Sequence, residues 1–219
     1  MATSGTFASF NVGDLLEEAY ERAGLEMRSG YDLRTGIRTF NFLMAEWANR
    51  GLNLWTIDEE TISVTSGDNT YTATANTIDI IDHVIRDSNS LDTPLERISS
   101  TQWAMINKKT QTGKPSLINV ERARDATNIT LWPVPNANYT LVYWRLRRME
   151  EAGAVGNDPD LPFRFIPALT AGLAYHIALK KSREAERIPF LKGEYEEAFN
   201  LAADEDRDRS SLWFVPDLR

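Results

Sequence analysis

Two histidines, His83 and His176, and no cysteine occur among the 219 residues. The missing thiols exclude a disulfide framework, a zinc-thiolate site and a cysteine nucleophile together, and fit a reducing, intracellular origin. Neither histidine stands in an H-E-x-x-H or H-x-E spacing, so a metal would have to draw carboxylates from distant parts of the fold. His83 reads as a strand-end residue and His176 as a helix-surface one. The segment "TQTGKPS" holds a Gly-Lys pair at Gly113 and Lys114, but it lacks the earlier glycine of a phosphate loop and has Pro115 where a Ser or Thr belongs. Gly113 and Pro115 therefore read as turn residues. No G-x-G-x-x-G and no G-x-S-x-G occurs either.

Acids are plentiful, as in "DEE" at 58–60 and "DED" at 204–206. Two carboxylates held at a fixed separation can hydrolyse a glycoside, but acids adjacent in sequence are usually a solvated face. The sequons at Asn128 and Asn138 carry little weight without a secretory signal. The stretch "WRLRR" at 144–148 sets an aromatic beside three arginines, a combination that can bind nucleic acid. Arg145 and Arg147 alternate onto one strand face, however, and "MEE" follows, so a salt-bridge or partner-protein face is the better reading. Net charge is −8, with 24 Lys and Arg against 32 Asp and Glu, which argues against a dedicated nucleic-acid binder. The sequence thus offers no catalytic, cofactor-binding or metal site.

The elements that carry these residues fall into three textures. From Asn11 to Arg50 the apolar spacing is helical, from Leu54 to about Met149 it alternates as in strands, and from about Pro162 to Arg209 it is helical again. Val12, Leu15, Leu16, Ala19, Tyr20 and Ala23 define one face of a first helix capped by Asn11 and stopped by Gly24. A second helix, starting near Asp32, carries Leu33, Ile37, Phe40, Met44 and Trp47 as one stripe, widened by Phe42 and Leu43. In "WANRGL", Gly51 stands where a left-handed C′ residue belongs, and Trp47 and Leu52 occupy the C3 and C″ positions that touch in a Schellman motif.

"ETISVTSGDNTYTATA" reads as a hairpin turning at "SGDN", with Ile62 and Val64 on one arm and Tyr71 and Ala73 on the other. "DHVIRD", "PSLINVE", "NITLWPV" and "YTLVYWRLR" read as further strands, the last covered on both faces. "ISSTQWAMINKK" reads as a short helix capped by Ser99 or Ser100. The loop "EEAGAVGNDPDLP" is a linker. It leads to a helix with Ile166, Leu169, Leu173 and Ile177 on one side and Ala168, Ala171, Gly172, Ala174 and Ala178 allowing close approach of a neighbour. A final helix from about Ile188 places Leu191, Tyr195, Ala198 and Ala202 inward and ends in a solvated charged stretch, "ADEDRDRSS". No run of apolar residues is long enough to cross a bilayer, and the N-terminus lacks the basic start and apolar core of a secretory signal.

The expected fold is α+β: a helical bundle from residues 1–53 and 151–209, a β-rich domain over 54–150 built as a sandwich or small barrel, and a tail over 210–219.

The order of "LLEEAYERAGL", "TFNFLMAEWANRGLNLWT", "SGDNTYT", "TPLERIS", "TGKPS", "LWPVPNANYTLVYW" and "LPFRFIPALTAGLAYHIAL" resembles the head-to-tail adaptors of short-tailed bacteriophages, the tail tubular protein A group. That resemblance runs from about Val12 to Ala203. It implies a structural virion protein, not an enzyme: a ring, commonly of twelve copies, made in the host bacterial cytoplasm and placed between the portal protein and the tail nozzle protein. The ring would extend the channel through which genomic DNA passes without sequence-specific binding, and no cofactor or membrane is implied. An acidic lumen would keep DNA from adhering. Ring contacts need two different faces per copy, and Leu212, Trp213, Phe214 and Val215 are the candidate assembly residues. Trp47, Gly51, Leu52 and Trp55 are the candidate junction between the helical and β-rich parts. The alternatives are a tail-associated binding module, favoured by exposed Trp132 or Trp144, and a cell-wall glycosidase.

Overall fold

In the computed structural model, residues 10–50, 54–181 and 186–206 are described. Gly51, Leu52 and the tail residues Leu212, Trp213, Phe214 and Val215 lie outside them. The chain forms two compact units, one from the residues up to Leu54 together with those from Met149 onward, the other from Trp55 to Arg148. The first is helical and the second β-rich, so the fold is α+β, and among the described residues no barrel closes.

The helical unit contains α1 (Val12–Arg22), α2 (Gly30–Asn49), α4 (Ile166–Lys181) and α5 (Arg187–Glu205). Asn11 caps α1 by accepting from the Asp14 N–H. The first two amides of α1, which no helical carbonyl can satisfy, donate to the carbonyls of Asn157 at 2.9 Å and Val155 at 2.8 Å. The glycine-rich segment after Met149 is therefore a strap holding α1 rather than a free linker, and Asn41 fixes it further by accepting from the Ala152 N–H at 2.9 Å. α2 begins at Gly30, two residues ahead of the expected start, behind a Ser29 cap that forms a full capping box with Asp32. Asp32 is thus the partner of the cap and not the first helical residue.

α4 lies at the centre, packed against α1, α2 and α5. Its small residues permit this, with Ala168, Ala171, Gly172, Ala174 and Ala178 all buried. An added Cβ at Gly172 would come within 2.8 Å of a Tyr195 ring carbon and 2.9 Å of a Leu43 methyl. On α5 the inward residues are Leu191, Tyr195, Phe199 and Ala202. Phe199 takes the place expected for Ala198, because its ring reaches Trp47 at a centroid distance of 5.3 Å. On α2, Leu43 is buried as expected but Phe42 is 69% exposed, so the stripe widens on one side only.

The β unit holds two four-stranded sheets. One has the order β1 (Ile57–Val64), β10 (Tyr139–Arg147), β3 (Thr77–Arg86), β4 (Asp92–Pro94), and the other β2 (Thr70–Thr72), β8 (Thr127–Trp132), β7 (Leu117–Arg122), β5 (Glu96–Ile98). β6 (Thr112–Gly113) and β9 (Val134–Pro135) pair separately, and α3 (Ser100–Met105) is the short helix, capped by Ser99. The expected hairpin does not form. "SGDN" does turn, with Gly67 at φ +88°, but β1 pairs with β10 and β2 with β8. Both arms still bury the expected faces: Val64, Ile80, Ile85, Leu141 and Tyr143 of the first sheet share one cluster with Ala73, Ile118, Ile129 and Leu131 of the second. Alternation decides which face is buried, whereas the partner strand is decided by the rest of the fold.

Candidate assembly interface

Of the four junction residues, two are described. Trp47 is fully buried in the helical unit, where its indole N–H donates to the Tyr195 hydroxyl at 2.8 Å and its ring tilts onto Phe165 at 5.6 Å. Such a partner is what a buried indole requires, and it ties α2 to α5. Burial raises the Tyr195 pKa, while the Trp47 hydrogen bond pulls the other way. Trp55 is half-buried at the start of the β unit. Trp47 is thus a core residue with no face for a ligand.

The "WRLRR" stretch and the "DEE" stretch meet across paired strands, since Asp58 stands opposite Arg145 in the β1–β10 register. Arg145 reaches Asp58 at 3.4 Å and Glu60 at 3.3 Å, Arg147 reaches Asp58 at 3.1 Å, and Arg145 also donates to the Ala75 carbonyl at 2.8 Å. Only 11% of the Arg145 side chain is exposed. This is a structural ion-pair face, with acids supplied by Asp58 and Glu60 of the paired strand β1. The "DED" acids are not all solvated either, because the Asp206 side chain is fully buried and pairs with Arg164.

Four exposed or half-buried carboxylates are held below their usual range. Lys181 and Ser29 hydrogen bonds bring Asp32 to about 2, Arg28 lowers Glu26, Arg86 lowers Asp92, and the amides of Leu91 and Asn89 lower Asp87. None of these is the raised acid that glycoside hydrolysis asks for. No group of three or more potential metal ligands converges among the described residues, and no described helix is long and apolar enough to cross a membrane. Trp132 and Trp144 are both half-buried, and Trp132 spends its indole N–H on the Lys108 carbonyl at 3.1 Å.

Two surfaces escaped the sequence reading. On α5, Phe190 is 74% and Leu201 68% exposed. They stand 11 positions apart, three turns to within about 20°, with Glu197 between them on the same face. In the β unit, Thr77 and Ile78, the β7–β8 turn and Arg148 line an open cleft of about 540 Å³. Arg122 and Arg124 enter it from that turn, which is closed by the Ala123 N–H donating to the Ala126 carbonyl at 3.0 Å. Periodicity finds only the inward side of a helix, which is why the outward Phe190 and Leu201 were passed over. The signal for the cleft was "ERARD", a basic doublet across a turn.

Charge is divided unequally between the units. Trp55–Arg148 contains 10 Lys and Arg against 11 Asp and Glu, a net of −1, which leaves 14 against 21, or −7, for the helical unit with the tail.

No curated protein matches the chain. A solved chain described as "Neck of empty GTA particle computed with C6 symmetry" is 10% identical, with 98% of this chain and 97% of that one covered at a TM-score of 0.31, a likeness too loose to carry an argument. The family described as SU10 adaptor protein matches residues 10–217, nearly the whole of both units, and the chain belongs to that family.

Proposed function

We propose that the protein is a structural virion component of bacteriophage, a head-to-tail adaptor that forms a ring between the portal and the tail nozzle and extends the DNA channel. The observation that carries this reading is the adaptor family's match over residues 10–217. The architecture supports it: a buried helical core and a separate β sandwich give each copy distinct faces, as a closed ring of heterologous contacts requires. A net charge of −8 suits a wall along which DNA must slide without adhering. The ring is read as twelve-membered, of the short-tailed phage type. Leu212, Trp213, Phe214 and Val215 act as an apolar tail that orders on the portal or a neighbouring copy. Trp47, Gly51, Leu52 and Trp55 form the junction that sets the two units against each other.

Mass measurement of the full chain alone and mixed with its portal tests the reading. The expected result is a shift to one high-symmetry complex, lost when residues 210–219 are deleted from a chain that otherwise stays folded. A full-length chain that never joins the portal removes the adaptor reading, and a truncated chain that assembles normally removes the role of the tail.

A further inference from the structure

We infer that the outer face of α5 in one copy seats in the arginine cleft of the β unit of a second copy. This rests on the ring reading and names the contact by which neighbouring copies join.

The two surfaces match in chemistry. The α5 face offers two apolar anchors, Phe190 and Leu201, about 16 Å apart along the helix, with Glu197 between them. Glu197 makes no ion pair among the described residues, and Gly193 on the same side has open space where a Cβ would stand. An exposed Phe and Leu on either side of an acid give the face two apolar anchors and one charge to be matched, with room for close approach at Gly193. The cleft offers the complement. Arg124 is 93% exposed, with its sequence neighbour Asp125 at 3.5 Å as its ion-pair partner among the described residues, Arg122 is 62% exposed and reaches Asp79 at 3.4 Å from the cleft's edge, and Ile78, 39% exposed, gives an apolar wall that the arginine stems extend. Arg148 completes the basic lining.

The choice of occupant follows from the charges. With −7 on the helical unit against −1 on the β unit, the basic cleft of one copy meets its complement on another copy's helices. The outer side of α1 is acidic too, through Asp14, Glu17 and Glu21, but within the helix it brings no exposed large apolar side chain beside those acids, and exposed ion pairs alone hold little. α5 supplies both, two anchors and an acid on one face. Because the two surfaces lie on different units, the contact is head-to-tail and can repeat around a ring.

Sedimentation velocity of the full chain at low salt, over a concentration series, tests the contact. Arg124→Glu and Glu197→Arg should each weaken self-association about tenfold or more, through like-charge contact. The double variant should recover it, and so should an equimolar mixture of the two single variants, whose reversed faces fit each other. Phe190→Ser should weaken association without altering the circular dichroism spectrum. Single reversals that associate like the wild type, a double variant no better than the singles, or a wild type that stays monomeric throughout would each overturn the inference. A loss of labelled duplex DNA binding in Arg124→Glu with unchanged self-association would overturn it as well, by assigning the cleft to phosphates. Assembly on the portal that ignores both reversals would remove this contact and leave the adaptor reading standing. A charge swap that works in a chain the portal does not accept would do the opposite.

Discussion

His83 lies half-buried on β3 with neither ring nitrogen hydrogen-bonded among the described residues, and His176 lies half-buried on α4 with Glu46 at 3.6 Å. Burial lowers the pKa of both, aided at His83 by Arg97 and opposed by Asp82, and at His176 opposed by Glu46 and aided by Lys180 and Arg50. Both are therefore neutral in the folded protein at pH 7. In the unfolded chain each takes up a proton at about pH 6.5. Between that pH and the lower folded values the unfolded state binds more protons, so the stability present above pH 6.5 declines on acidification. Denaturant melts at pH 7.5, 6.5 and 5.5 should show midpoints falling in that order. His83→Leu should flatten the slope of the β unit and raise its stability by about 1 kcal/mol at pH 7.5, since it removes buried polar atoms that lack partners. A variant with the wild-type slope would mean that His83 titrates normally in the fold.

Among the elements, α4 depends most on the size of its side chains. Alanine is the better helix former by about 1 kcal/mol, so Gly172→Ala would stabilise an isolated helix. In the bundle the new methyl meets the Tyr195 ring, which the Trp47 indole holds in place by hydrogen bond, and overpacking of this kind costs about 1–3 kcal/mol. The clash outweighs the propensity, and chemical denaturation should show Gly172→Ala less stable by about 1–2 kcal/mol. Gly193→Ala on α5, where the Cβ enters open space, should gain about 0.5–1 kcal/mol by the same propensity argument. The crowding at Gly172 was legible in the sequence, because small residues on an apolar helix announce a close neighbour. So was the cap at Asn11, and the cap of the short helix was narrowed to Ser99 or Ser100, of which the structure uses Ser99. Strand partnership was not: β1 and β10 lie some 80 residues apart, and nothing in "ETISVTSGDNTYTATA" says that its two arms bury their apolar faces from opposite sheets. Asp206 was misread for a related reason, since its partner Arg164 is distant in sequence. The candidate assembly tail falls outside the described residues, and the surfaces that emerged instead, Phe190 with Leu201 and the Arg122–Arg124 turn, are marked by exposure, which no periodicity reveals.

At the scale of the whole molecule, the β unit begins at Trp55 and ends at Arg148. Its first and last strands are paired neighbours, with Ile57 opposite Leu146. Opposite residues of an antiparallel pair stand about 5 Å apart, so the chain enters and leaves this unit at adjacent points. It has a core of its own: Val64, Ile85, Ile118, Ile129, Leu131, Leu141 and Tyr143 form one cluster whose described members all belong to this unit. The Tyr143 hydroxyl, fixed to the Thr74 N–H at 3.1 Å, and the Arg145 ion pairs with β1 close the same unit on itself. A fragment of residues 55–148 should therefore fold alone, giving a sheet-type circular dichroism spectrum and dispersed amide resonances. It should also unfold in one step at the denaturant midpoint of one of two transitions in the full chain, because cooperative units with separate cores melt separately. A fragment that is unfolded or binds hydrophobic dye, or a full chain that melts in a single transition, would show that the sandwich takes its stability from the helices, and the junction would then be a packed interface instead of a connection.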